Sequence, residues 1–185
     1  MDRSPVTTVG EYEMSELTQI QRDFRSAMAH LPAAVNIVTT DGPHGRVGIT
    51  VSAVCSVSDS PPTVLVCVNR SSATHDIFKS NGEICINVLS GEHEELARHF
   101  SGATKVPMAE RFGWDIWEEN RASVPVLRDA LVKIVGRISD HSVQGSHSVI
   151  FVQVDRIEVQ QESDSLVYFK RQFHRLSVTP ELAMV

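Results

Sequence analysis

The chain has 185 residues, 42% hydrophobic and 22% charged, with a formal net charge of −6. That is enough for one domain with a substantial core. The acidic balance, with no long basic run, argues against nucleic acid or an anionic membrane as partner, and no apolar run approaches the ~20 residues of a membrane span.

Residues 1–14 are polar and aperiodic and read as a flexible arm. They lack the apolar core of a secretory signal. A helix follows, with Ser15 as N-cap, Glu16 at the favourable end of the dipole, and a stripe of Leu17, Ile20, Phe24, Ala27, Met28 and Leu31 that ends at Pro32. Ala33 to Asp41 is rich in β-branched residues and predicts a strand, turned at Gly42 to Gly45 into the next. From Arg46 the pattern alternates: Val47, Ile49, Val51, Ala53, Cys55 and Val57 on one face, Gly48, Thr50, Ser52, Val54 and Ser56 on the other. The first face suits a core. The second is small and hydroxyl-rich, a surface for a flat polar ligand, although half-exposed antiparallel strands also carry Ser and Thr outward.

After a Pro61-Pro62 turn, Thr63 to Val68 is apolar on both faces and predicts a central, covered strand. Ser71 to Ser80 has helix-start chemistry, Asn81-Gly82 stops it, and Glu83 to Leu89 is the next strand. Glu92 to Phe100 predicts a short helix with Leu96, Ala97 and Phe100 inward. Ser101 to Val124 is the least periodic part, with a short strand expected at Trp114 to Glu118. Long ordered loops of this kind are often lids or interfaces. Two long strands, Ala130 to His141 and Ser148 to Gln160, flank a turn at Gln144 to Ser146, and Leu166 to Lys170 is a last short strand. About seven strands, three short helices and mostly hairpin turns argue for a mainly β, antiparallel barrel with peripheral helices. Cys55, Cys67 and Cys85 lie in strand patterns with no C-x-x-C pair and read as buried free thiols of a reducing cytoplasm.

The loop Asn69-Arg70-Ser71-Ser72-Ala73-Thr74 joins the end of a strand to the start of a helix. Backbone N–H groups there favour anions, Ser71, Ser72 and Thr74 add hydroxyls, and Arg70 adds a fork of donors, so the loop is a candidate phosphate cradle. Helix capping alone would also account for the hydroxyls. His147 stands at a turn where an imidazole can face a ligand, or simply serve the turn. No metal-ligand spacing, nucleophile elbow, P-loop or dinucleotide glycine fingerprint is present, so a nicotinamide cofactor would not bind in the Rossmann way.

The run GITVSAVCSVSDSPPTVLVCVNRSSAT resembles the flavin reductase-like split-barrel proteins. So do FRSAMAHLPAAVNIVTT, ICINVLS, ARHFSG, MAERF, GSH before a long strand, and LVYFKRQFH, which together cover most of residues 20–175 in order. The resemblance is strongest to the reductase components of two-component flavin monooxygenases and to the pyrimidine-utilisation flavin reductases. It implies a six-stranded antiparallel Greek-key split β-barrel of the FMN-binding type over residues 15–176, with a tail at 177–185. It also implies a homodimer, FMN or FAD, and NADH or NADPH as hydride donor.

By position, the resemblance places the isoalloxazine along Thr50, Val51, Ser52 and Ala53 with Ser56 close. The flavin phosphate falls at Asn69, Arg70, Ser71, Ser72 and Thr74, and His147 lies near nicotinamide and flavin. Tyr168, Phe169 and Arg171 belong to a motif that closes the site. Some relatives have Asp where this chain has Ser146. The reduced flavin would pass to a flavin-dependent monooxygenase. Two alternatives remain: a relative that reduces another acceptor, such as cob(II)yrinic acid a,c-diamide, or a non-catalytic flavin- or haem-binding barrel.

Overall fold

A computed structural model describes residues 17–118, 124–161 and 164–177. The arm at 1–14, the expected cap Ser15 with Glu16, and the tail beyond Ser177 lie outside the described residues. In chain order the elements are α1 (Gln19–Met28), β1 (Ala33–Ala34), β2 (Asn36–Thr40), β3 (Val47–Val51), β4 (Val54–Asp59), β5 (Pro62–Asn69), α2 (His75–Asn81) and β6 (Glu83–Val88). After a 3₁₀ turn come α3 (Glu94–Phe100), α4 (Met108–Phe112), β7 (Val132–Gln144), β8 (His147–Val159), β9 (Ser165–Phe169) and β10 (Gln172–Leu176).

The strands form two antiparallel sheets, one of seven in the order β3-β2-β6-β7-β8-β5-β4 and one of three in the order β1-β9-β10. The ends of the large sheet, β3 and β4, are consecutive in the chain and joined only by Ser52 and Ala53. A sheet whose two edges are covalently tied must curl. Its inner side chains show this: Val47 and Val51 of β3 share a core cluster with Val66 and Val68 of β5 and Ile150 and Val152 of β8, and Phe78 of α2 belongs to the same cluster. No ladder joins β3 to β4 among the described residues.

A second cluster lies on the other face. Ile37, Leu89, Leu96, Phe100, Trp117 and Leu127 pack there, so neighbours Ile37 and Val38 of β2 are buried in different cores. This arrangement explains the aperiodic segment after Ser101. Its α4 and Trp117 form an aromatic layer with Phe100, at 5.0 to 5.8 Å between ring centroids. The expected strand at Trp114 to Glu118 reduces to a single bridge, Trp117 to Leu127. Gly48 permits the layer: a Cβ there would stand 2.7 Å from the Phe100 ring.

Several expectations are corrected. The strand expected to run unbroken from Arg46 is two strands, β3 and β4, at opposite edges. The alternation breaks at Ser52-Ala53, so Val54 turns inward while Ala53, Cys55 and Val57 are exposed. Cys55 is therefore not a buried thiol, whereas Cys85 is, and burial pushes its thiol up to about 12. Ala33 to Asp41 breaks at Val35 into β1 and β2, which join different sheets. β5 lies second from the edge, with only Val66 and Val68 fully buried.

The first helix is capped by Thr18, in a capping box with Gln21. Its stripe is not buried in this chain: Ile20 is 74% exposed and Phe24 60%. Beyond the short strand expected at Leu166 to Lys170, Gln172–Leu176 forms a further strand, β10. The helices after Asn69 and Glu92, the strand Glu83–Val88 and the long β7–β8 hairpin lie where the sequence predicts them, within a few residues.

Candidate functional site

The link Ser52-Ala53 brings two stretches of interest together. Cys67 N–H donates to Ala53 O at 3.0 Å, so the end of β5 runs beside the link. Asn69 lies two residues further on, about 7 Å along the strand. The hydroxyl-rich loop thus starts next to the stretch Thr50 to Ala53.

That loop is braced from within. The Asn69 side-chain oxygen accepts from the Ser71 N–H at 3.0 Å and the Ser71 hydroxyl at 2.9 Å. The Ser72 and Thr74 hydroxyls pair at 2.8 Å, and Ser72 Oγ also accepts from Thr74 N–H. Thr74 holds the N-cap position of α2 without a side-chain capping bond, so its hydroxyl turns to Ser72 instead of closing the helix. Arg70 does not project into a cradle. Its N–H donates to Ser146 O at 2.9 Å and its guanidinium to Gly145 O at 3.2 Å, tying the loop to the β7–β8 turn.

A second tie lies deeper. His75, 5% exposed, places Nε2 at 2.8 Å from the fully buried Ser148 hydroxyl and Nδ1 at 2.8 Å from Asp76 Oδ1. The carboxylate accepts from Nδ1–H, so in the neutral ring Nε2 accepts from Ser148. Ser148 directly follows His147, whose own Nδ1 lies 2.9 Å from the Ser146 hydroxyl. His147 pairs in register with Asn69. The loop and His147 are therefore one braced unit.

Thr50, Val51 and Ser52 also line a cavity of about 340 Å³, with Val35, Arg98, Ser101, Ala103, Tyr168, Arg171 and Phe173. The lining comes from β3, from α3 and the residues after it, and from the β9–β10 hairpin, whose Phe173 ring meets the Arg98 guanidinium. The Thr50 hydroxyl is not free there; it donates to Ala97 O at 2.7 Å and ties β3 to α3. Tyr168 stacks on Phe173 with centroids 5.2 Å apart. Lys170 and Arg171 make the hairpin turn with φ of 50° and 63°, left-handed values that cost non-glycine residues energy.

Of the residues singled out from sequence, the structure brings Thr50, Val51, Ser52, Tyr168 and Arg171 to this cavity, and Asn69 to Thr74 with His147 to the braced unit. It leaves three outside both. Ala53 is exposed at the link, Ser56 is exposed on β4, and Phe169 packs by His30 and under Lys170. His147 instead lines a separate apolar cavity of about 720 Å³, shared with Ile20, Phe24 and Ala27 of α1. Sequence reasoning did not single out Arg98, Phe173, His75 or Ser148. The strand and helix patterns that contain them give no sign of which side chains meet.

The sequence and this architecture place the chain in a family. Residues 28–177 match the model of the flavin reductase like domain, and the chain belongs to that family. It is 55% identical, over 88% of this chain and 96% of the relative, to the 4-hydroxyphenylacetate 3-monooxygenase reductase component of Pseudomonas aeruginosa. It is 48% identical, over 85% of this chain and 90% of the relative, to the FMN reductase (NADH) RutF of Stutzerimonas stutzeri. Among solved structures, a flavin reductase described as putative, from Haemophilus somnus, superposes with a TM-score of 0.78 at 35% identity, covering 84% of this chain and 98% of that one.

Proposed function

We propose that the protein is an NAD(P)H:flavin oxidoreductase that supplies reduced FMN or FAD to a partner monooxygenase. The observation that carries this is the junction of the Thr50 to Ala53 stretch with the braced Asn69 to Thr74 loop, in a chain so similar to monooxygenase reductase components. The residues suit a flavin: a backbone floor for a flat ring, and at one end two paired hydroxyls that a phosphate oxygen can recruit as donors. Ser72 and Thr74 would hold the phosphate, with Asn69 and Ser71 shaping the loop and Arg70 anchoring it. Thr50 to Ala53 would carry the ring, with Ser56 beyond it, and Tyr168, Phe169 and Arg171 would close the far side.

Bound flavin supplies the hydride acceptor and the nicotinamide the donor, so the chain needs no nucleophile or acid–base pair. Its own work is to align the two rings, through the floor and His147, and to offer N–H groups to developing negative charge.

We further infer a six-stranded Greek-key split barrel over a domain of residues 15–176; the antiparallel seven-stranded sheet with covalently tied edges supports this reading. A homodimer agrees with the bare stripe of α1, which a second copy would cover. No helix among the described residues is long and apolar enough to cross a membrane; a cytoplasmic setting is inferred from the likeness to monooxygenase reductase components.

The test is NADH consumption in air with FMN or FAD, followed by absorbance. Flavin-dependent consumption supports the reading, and its absence removes it. Repeating the assay anaerobically with cob(II)alamin decides the acceptor: cobalt reduced faster than by free reduced flavin would favour a corrinoid reductase.

A further inference from the structure

The helix α3 lines two cavities. Arg98 lines the one already described. Glu95, Leu96 and His99, on a different face of the same helix, line another of about 380 Å³. Much of this second lining is apolar: Leu96 and Leu127 are buried, and Trp114 and Ile116 are half-buried. Trp114 and Ile116 come from the aperiodic segment after Ser101, a stretch whose length suits an interface. The Trp114 ring is held in place. It lies against His99, with centroids 5.0 Å apart, and His99 Nδ1 is 2.8 Å from the Thr104 hydroxyl.

The charge around this apolar lining has one sign. Glu92, Glu95 and Asp129 bring carboxylates, and among the described residues no lysine or arginine lines the cavity. Arg175 engages Glu92. Among the described residues Glu95 has only His99 beside it, at 3.8 Å, and the Asp129 carboxylate has no hydrogen-bond or ion-pair partner. Burial holds the His93 imidazole below its ordinary value, so near neutral pH it adds no positive charge.

These features narrow the occupant. Three carboxylates repel an anion. Among the described residues no group of three or more His, Cys, Asp and Glu is arranged to hold a metal ion. An arginine side chain matches both parts of the lining. Its aliphatic stem suits Leu96, Ile116 and Leu127, its planar head suits an indole, and its N–H fork suits a carboxylate. Arginine is also among the residues that most often anchor protein interfaces. We propose that this cavity is the docking site for an arginine of a partner protein, with Trp114 as the stacking wall and Glu95 and Asp129 as the charge partners. A protein seated there touches the same helix that lines the Arg98 cavity. The docking site stands independently of the flavin reductase reading.

The probe is the peptide acetyl-Gly-Gly-Arg-Gly-Gly-amide, titrated into the full chain while tryptophan emission is followed. The chain has two tryptophans, Trp114 and Trp117, and Trp117 is buried in the aromatic layer, so the signal reports on Trp114. Emission should change to saturation, and the same peptide with Gln for Arg should give no saturating change. The Kd should rise about fivefold in Glu95→Gln and in Asp129→Asn, and further in the double variant. Raising the ionic strength from about 0.05 M to about 0.5 M should weaken binding as well. Both positions are exposed, and equal urea midpoints confirm that the variants keep the fold. An equal response to the Gln peptide, no saturation, a signal that survives in Trp114→Phe, or a wild-type Kd in the double variant overturns the docking site. Saturation by agmatine but not by the peptide assigns the cavity to a small free cation and also overturns it. The titration needs neither nicotinamide nor flavin, so a failure to oxidise NADH would remove the reductase reading and leave this result standing.

Discussion

Two regions that border the Thr50 to Ala53 stretch, the Asn69 to Thr74 loop and the Arg171 cavity, are built in opposite ways. In the loop nearly every polar group already has a partner: Asn69 with Ser71, Ser72 with Thr74, Arg70 with the β7–β8 turn, and His75 with Ser148. At the Arg98 and Arg171 cavity, Arg171 has no partner among the described residues, Arg98 leans on the exposed carboxylate of Glu94, and the turn between β9 and β10 holds two residues at left-handed φ. The geometry of the loop is part of the fold. The cavity instead carries left-handed backbone at Lys170 and Arg171, which non-glycine residues adopt at a cost. Substitutions should therefore cost folding and binding together at the loop, and at the Lys170-Arg171 turn should leave the fold intact or firmer.

The largest effect is expected at His75. Replacing it with Ala leaves the fully buried Ser148 hydroxyl unpaired and removes packing, which should lower stability by about 2–3 kcal/mol in urea unfolding. The flavin Kd should rise in the same variant. An unchanged Kd would show that the brace serves the fold alone.

Next comes the hydroxyl pair. Ser72→Ala combined with Thr74→Ala should raise the flavin Kd by about tenfold, about 1.4 kcal/mol, with a smaller loss of stability. A flavin titration indistinguishable from wild type would show that the loop is not the phosphate cradle.

At the β9–β10 turn the sign reverses. Arg171→Gly removes the left-handed strain and should raise stability by about 1 kcal/mol in thermal or urea unfolding. A loss of stability there would mean that the turn is not strained in solution.

The smallest effect concerns pH. Burial lowers the His93 imidazole below its ordinary value, and its Nδ1 accepts from the Ser90 N–H and lies 2.9 Å from the Ser90 hydroxyl. The unfolded chain takes up a proton near pH 6.5 while the folded one resists it. Stability should thus fall as pH drops below about 6.5 and level off below the folded value. Unfolding midpoints measured from pH 7 to pH 5, in wild type and in His93→Gln, check this: the variant should show a shallower fall.

Much of this architecture was legible in the residues, and what was not has physical causes. The β7–β8 hairpin and β6 carry dense Val and Ile, bounded by turn residues, and their periods survive folding. Arg46 to Val57 deceived because alternation reports pleat and not pairing. The residues Ser52 and Ala53 do not look like a break, yet the curl of the sheet sends β3 and β4 to opposite edges. The α1 stripe was legible as amphipathic, but amphipathicity does not say whether the buried face meets its own chain or another. At the site, the loop hydroxyls and the β3 floor were visible as local motifs. Arg98, His75, Ser148 and Phe173 were not, because what matters about each is a partner far away in sequence: the cavity wall, Ser148 for His75, and Tyr168 for Phe173. The strained Lys170-Arg171 turn was also hidden, since neither residue type announces a positive φ.

On the reductase reading, the chain aligns a nicotinamide with a flavin over the Thr50 to Ala53 stretch. This is tested most directly by anaerobic single turnover, mixing protein preloaded with FMN against NADH and following loss of the oxidised flavin band. The account predicts bleaching far faster than in a protein-free mixture of the same FMN and NADH, and slower in His147→Ala. Bleaching at the protein-free rate would contradict it.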